Sequence, residues 1–369
     1  MDALILSCGT GGGHNAAGSA VAAELIRRGH HAAMFNPYTL RSERLAERID
    51  SLYIETVQKA PTVFGAVYRA GQLYRDLPGR SPVYFVNRGM VPVMQEYLSR
   101  NHVDVIIAPH LFPAEILTGM KREGLPVPKT IFIATDYACI PFTEETECDA
   151  YVIPCAELEE SFVSCGLPAE KLYPLGIPVS SRFSQKGTRE EACERLGLDP
   201  GKKYVLAAGG SMGGGKIKKV IQLLSDEIAE RQDTELLVLC GSNKQLYKEL
   251  MEKAFPSVTV MGFTSEIADY MKAACLFVTK PGGLSSTEAA VSGIPIIHVA
   301  PIPGCETHNA RFFDEHGMSR FCHTSRQDLA DALDLLDDEP ARLAMIRRQQ
   351  ALIHPDAAVQ ISILAENMA

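Results

Sequence analysis

Four places in the chain carry residues whose type and spacing could do chemistry. His14 closes the run Gly9-Thr10-Gly11-Gly12-Gly13. An imidazole titrates near working pH, so it could take a proton from a substrate hydroxyl; equally, it could cap or pack at the turn. Asp136, in Thr135-Asp136-Tyr137, could hydrogen-bond a hydroxyl, serve as an alternative base, or cap its own turn. Glu288 could accept two hydrogen bonds from a diol, or close a capping box with Ser285. The fourth place is Gly209-Gly210-Ser211-Met212-Gly213-Gly214-Gly215-Lys216. Gly210 to Lys216 has the form GxxxxGK, but Ile217 stands where a P-loop needs a Mg²⁺-binding hydroxyl, which disfavours an ATPase. Such a loop can still offer backbone N–H groups to a diphosphate.

The elements that must position these groups alternate in period. Apolar, β-prone runs fall at 3–7, 31–35, 103–109, 130–134 and 150–153, then at 204–208, 236–240, 258–260, 276–280 and 294–300. Helical stretches separate them, so the fold class is α/β with parallel sheets. In open parallel sheets ligands sit beyond the carboxyl ends of strands, and all four places follow strand ends. A helix over 15–28 ends at Gly29. His14 stands where a dinucleotide fingerprint wants glycine, and strand 31–35 runs into Asn36-Pro37 with no ribose-binding acid, which disfavours NAD. After the strand at 276–280, Pro281-Gly282-Gly283 makes a turn. A helix is expected from Glu288, with Ser285 as its cap, and Glu306 and Asn309 are expected in the loop after the next strand. The polar stretch 180–187 reads as a hinge between domains 1–180 and 181–369. The tail from 327 reads as helices broken at Pro340 and Pro355.

Composition narrows the partners. A net charge of −9 in 369 residues argues against general nucleic-acid binding. Leu4 to Leu6 is too short an apolar run for a signal peptide, and no run approaches the ~20 apolar residues of a membrane span. Ten cysteines without a CxxC pair or zinc spacing read as reduced cytosolic thiols. No base is paired with Cys305 by motif, and no DxD motif occurs, so neither a cysteine nucleophile nor a metal is expected. The charge is uneven: residues 41–100 hold nine basic and six acidic side chains, with Tyr53, Phe64, Tyr68, Tyr74, Tyr84 and Phe85 among them. This mixture suits an anionic membrane interface; it also suits a helical insert with a solvated basic face.

Several motifs, in order, resemble one family. GTGGGHNAA near the start, the central TDY, LGIPV, GGSMGGG and GF, and KPGGLSSTEAAVSGIPII followed by PGCETHNARFF are similar to the monogalactosyldiacylglycerol synthase and processive diacylglycerol glucosyltransferase family of UDP-sugar glycosyltransferases. The likeness runs over about residues 3–320. It implies a GT-B fold, two Rossmann-like domains facing each other across a cleft. It implies inverting transfer of a hexose from a UDP-sugar to a lipid hydroxyl, most simply diacylglycerol, by a peripheral membrane enzyme. Gly12, Gly13 and His14 would stand at the acceptor, with His14 or Asp136 as base. Gly210, Ser211, Met212 and Gly213 would face the UDP phosphates, as would the turn and helix start at Gly282, Gly283, Leu284 and Ser285. Phe263, which could also be plain core, would lie by the uracil, Glu288 would hold the ribose, and Glu306 and Asn309 would read the sugar. Ile140 and Phe142 stand where many relatives carry His and Trp, and Cys305 where many carry Gln. Other readings are transfer of N-acetylglucosamine to a polyprenyl acceptor, a non-catalytic UDP-sugar-binding regulator, and a UDP-sugar epimerase.

Overall fold

The computed structural model describes all residues except 60, 75–78, 210–216, 254 and 256. The chain divides into two compact units, one of 1–180 with 303–305 and 354–369, the other of 181–302 with 306–353.

In the first unit the chain runs β1 (Asp2–Leu6), α1 (Gly12–Arg27), β2 (His31–Phe35), α2 (Glu43–Lys59), α3 (Pro61–Tyr74), α4 (Pro82–Arg88), α5 (Val91–Arg100), β3 (Val105–Ala108), α6 (Leu111–Arg122), β4 (Lys129–Ile133), β5 (Ala150–Val152), α7 (Glu159–Ser164) and β6 (Leu172–Tyr173). The strands form one sheet in the order β2-β1-β3-β4-β5-β6, with every pairing parallel. Side chains alternate across β1. Ala3 and Ile5 join Val21 and Leu25 of α1 in one core layer, while Leu4 and Leu6 join Met94 of α5 and Ile116 and Met120 of α6 in the other. Pro61 and Pro82 open their helices and Pro92 is second in α5; there the missing N–H costs nothing.

The second unit runs α8 (Arg189–Leu196), β7 (Lys203–Ala208), α9 (Ile217–Ile228), β8 (Thr234–Leu239), α10 (Lys244–Met251), β9 (Val258–Met261), α11 (Ile267–Ala273), β10 (Leu276–Thr279), α12 (Gly283–Ser292), β11 (Ile296–Val299), α13 (Cys305–Glu315), β12 (Arg320–Cys322), α14 (Arg326–Leu333) and α15 (Glu339–Leu352). Its sheet is also parallel, in the order β12-β11-β10-β7-β8-β9. In both sheets the order reverses once, between β1 and β3 and between β7 and β10. A crevice opens at such a reversal, where neighbouring connections leave for opposite faces.

The last helix, α16 (Ala357–Met368), belongs to the first unit. Ile361 and Ala365 are fully buried in the layer with Val21 and Leu25. Arg28 donates two hydrogen bonds to Glu366 at 2.7 and 2.6 Å, and His30 Nε2 lies 2.7 Å from the same carboxylate. The Arg28 and His30 contacts hold the Glu366 carboxyl down at about 2. A carboxyl depressed by folding contributes stability above its ordinary pKa and loses it as pH falls through the folded value. Glu366→Gln should therefore melt at a lower temperature than the parent at pH 7. The gap should shrink as pH falls from about 4.5 towards 2. Melting curves across that range check it; a gap unchanged with pH would show that the pair carries no such load.

Candidate active site

At the reversal in the first sheet, β1 and β3 deliver two histidines. Gly11 caps α1, so Gly12, Gly13 and His14 form its first turn, and the helix starts three residues ahead of the expected Asn15. A first turn leaves its N–H groups without helical partners, and glycines there let a ligand approach the backbone. Gly9 is required for another reason: a Cβ there would come within 2.4 Å of Asp50 Oδ2. Asp50, on α2, also accepts from Asn36 Nδ2 at 3.2 Å, and burial raises its pKa.

His14 Nδ1 lies 2.8 Å from the carbonyl oxygen of Pro109 and 2.9 Å from Thr135 Oγ1. A carbonyl only accepts, so Nδ1 carries the proton and Nε2 keeps a free lone pair. Burial lowers the pKa of His14, against the upward pull of the Asp136 charge and the Pro109 carbonyl. The ring is thus neutral at pH 7, and Asp136 stands ready to stabilise it once protonated. His110 meets His14 edge to face, ring centroids 4.5 Å apart. These residues line a small, mainly apolar pocket with Thr135, Phe132 and Ile140. A neutral imidazole with a free nitrogen, backed by a carboxylate, can accept a proton from a hydroxyl.

The second unit carries a candidate site of its own. α12 begins at Gly283, capped by Gly282 with no side-chain cap bond. The capping box expected from Ser285 and Glu288 is absent. Ser285 lies inside the first turn because Gly282, extended at φ −69° and ψ 137°, already turns the chain into the helix. The N–H groups of Gly283, Leu284 and Ser285 have no acceptor a turn earlier, although the Leu284 side chain itself is buried. Such a helix start favours an anion. Glu288, one turn along, makes no side-chain hydrogen bond or ion pair among the described residues. It keeps some accessible surface, yet protein packs so densely around its carboxyl that burial pushes it up to about 8.

Glu306 and Asn309 are helical, in α13, where a loop was expected. Glu306 accepts from Ile302 N at 2.7 Å and lies 3.7 Å from Lys280 Nζ. Asn309 is fully buried and donates to the Pro281 carbonyl oxygen at 3.0 Å, which gives it a part in shaping the turn before α12. Phe263, after β9, is 80 % exposed and so is no core residue. Gly210, Ser211, Met212 and Gly213 lie outside the described residues. Sequence reasoning missed Lys280, buried at the end of β10, and His298. The His298 ring lies 2.9 Å from Ser286 Oγ of α12 and 3.0 Å from Ser319 Oγ, and burial takes it down to about 3. Only packing brings these together; the sequence signal was a lone polar residue in an apolar strand.

Residues 14–179 match the family described as monogalactosyldiacylglycerol (MGDG) synthase, and residues 204–361 match the glycosyltransferase family 28 C-terminal domain. The two matches together take in most of the chain, and both are to families of glycosyltransferases. A processive diacylglycerol beta-glucosyltransferase of Staphylococcus carnosus is 28% identical over 240 residues, 64% of this chain and 60% of that enzyme. One from Bacillus licheniformis is 24% identical over 91% of this chain and 87% of its own length. Among solved structures, MurG of Acinetobacter baumannii aligns over 100% of this chain and 99% of its own with a TM-score of 0.66 at 16% identity, a likeness of fold. The fold is GT-B, and the family reading made from the motifs stands.

Proposed function

We propose that this glycosyltransferase moves a hexose from a UDP-sugar to diacylglycerol at a membrane surface, inverting the anomeric carbon and using no metal. The observation that carries the reading is His14 in the first unit, neutral with a free Nε2; the uncapped start of α12 beside Glu288, in the second unit, supports it. His14 Nε2 takes the acceptor hydroxyl's proton, and the freed oxygen lone pair forms the new bond to the anomeric carbon. The carbon–phosphate-oxygen bond breaks, and UDP leaves with the electron pair. The N–H groups opening α12 stabilise the charge that grows on the leaving diphosphate. Glu288 accepts from the ribose diol, and Phe263 offers its exposed ring to the uracil. Glu306, fixed at both carboxylate oxygens, faces the sugar. The names of the matched relatives support the acceptor class.

Cytoplasmic, peripheral membrane association rests on the first unit. Phe85 and Val86 stand 58% and 68% exposed on α4, between Arg80 and Arg88 and within the basic stretch 41–100. No described helix is long and apolar enough to cross a membrane. The test is UDP release by the pure protein with UDP-glucose, UDP-galactose and UDP-N-acetylglucosamine in turn, with and without diacylglycerol in anionic vesicles. Diacylglycerol-dependent release with one preferred donor is the expected result. Release that needs a polyprenyl acceptor, or UDP binding with no release under any condition, would overturn it.

A further inference from the structure

His110 has no place in the transfer chemistry above, yet it is among the most constrained side chains of the first unit. It is 5% exposed and sits at the N-cap of α6, just past β3. Its Nδ1 accepts the backbone N–H of Phe112 at 3.1 Å. Its Nε2 lies 2.8 Å from Thr10 Oγ1, in the glycine turn after β1. Because Nδ1 accepts, Nε2 must carry the ring proton and donate it to Thr10. Both nitrogens are then used, and a second proton has nowhere to go without displacing the cap of α6. The ring also stacks edge-on against Phe112, centroids 4.6 Å apart, and packs against His14 on another side.

We propose that His110 is a positioning residue: locked as the neutral Nε2–H tautomer, it fixes the ring plane of His14 and keeps the proton taken from the acceptor on His14. The proposal rests on the reading of His14 as the base. A second imidazole in contact would ordinarily share an arriving proton, or repel it if already charged. The tautomer lock prevents the first, and burial of His110, which drives its pKa well down, prevents the second. The titratable groups that face His14 are Asp136, from beyond β4, and His110, from beyond β3. The Asp136 charge favours imidazolium on His14. The Thr10 bond ties the arrangement to the glycine turn that opens α1, so the turn, the strand end and the base move as one piece.

The test is His110→Asn. Asparagine keeps an acceptor for the Phe112 N–H, a favoured cap, but loses the ring and the Thr10 link. Water should then reach His14, and its pKa should rise from its lowered value back towards that of an ordinary histidine. Side-chain NMR titration of His14 in the full chain reads this without any substrate. In turnover, kcat should fall about tenfold or more, as a displaced reacting group does, with KM for the UDP-sugar within about twofold. The acid limb of kcat/KM should move to higher pH. An unshifted His14 titration, with activity lost only in proportion to melting temperature, would overturn the proposal. So would a proton on His110 Nδ1 in the parent protein's ¹⁵N spectrum. If His110→Asn does not fold, Thr10→Val removes the Nε2 partner alone; it should shift His14 in the same direction, and a folded Thr10→Val with the parent titration would overturn the proposal. If the titration shifts but the parent protein transfers no sugar, the functional reading fails and the positioning stands.

Discussion

His14→Ala should lower kcat by about 10²–10⁴-fold, the usual contribution of a placed general base, while UDP binds as tightly as before. The split follows from location. His14 stands in the first unit, where its Nδ1 is held by the Pro109 carbonyl and Thr135. The groups proposed for the nucleotide lie in the second unit. In the parent protein the acid limb of kcat/KM should fall below pH 6.5, because burial lowers the His14 pKa from that ordinary value. Below the limb the ring is protonated and cannot take a second proton. Steady-state rates at saturating donor, UDP calorimetry and a pH profile check this together. Unchanged kcat would move the base to Asp136, and lost UDP affinity would show that His14 serves the donor.

Glu288→Gln should weaken UDP about 10- to 100-fold, since a hydrogen bond to a charged group contributes ~1.5–3 kcal/mol and, of the two at stake, the amide oxygen keeps one. It should leave the melting temperature unchanged or higher. The reason is that the capping bond which would have made Glu288 structural is absent. Burial instead raises its carboxyl from an ordinary value near 4.5 to about 8. A carboxyl raised by folding takes up a proton on folding, so it opposes folding increasingly as pH climbs from 4.5 through 8; the amide removes that slope. The ribose hydroxyls need the carboxylate, so UDP affinity of the parent should rise between pH 6 and 8 and that of Glu288→Gln should stay flat. Calorimetry across that range reads it, and a melting temperature that collapses while UDP affinity holds would return Glu288 to a purely structural part.

How much of this was legible in the sequence depends on which forces fix each residue. The strands were legible because burial on both faces leaves continuous apolar runs such as 3–6 and 276–278. The chemistry at their ends was legible because glycine, proline and charge interrupt those runs abruptly. Helix starts were not. Gly12-Gly13 and Gly283 read as turn, since glycine has low helical propensity, yet in both places it occupies a first turn where the backbone must stay bare. Ser285 looked like a cap because its spacing to Glu288 fits the box; the extended Gly282 had already taken that place. Glu306 and Asn309 read as loop because Pro303-Gly304 precedes them, but those two residues end the loop and α13 follows at once. His110, Thr135, Lys280 and His298 gain their meaning only from partners up to 121 residues away, and no local pattern announces a contact of that range.

The tail has a consequence for how the protein comes into being. A ribosome delivers a chain from its first residue, and domains generally fold as they emerge. Here the first unit emerges with a face of its sheet incomplete, because α16 supplies Ile361 and Ala365 to the layer that holds Val21 and Leu25. It must wait through the whole synthesis of the second unit with that apolar layer open to water. The unit made second is therefore the one able to finish first, and the unit made first closes only when residues 354–369 are released. A chain interrupted anywhere before that point exposes the same apolar layer, which marks it for chaperones and proteases.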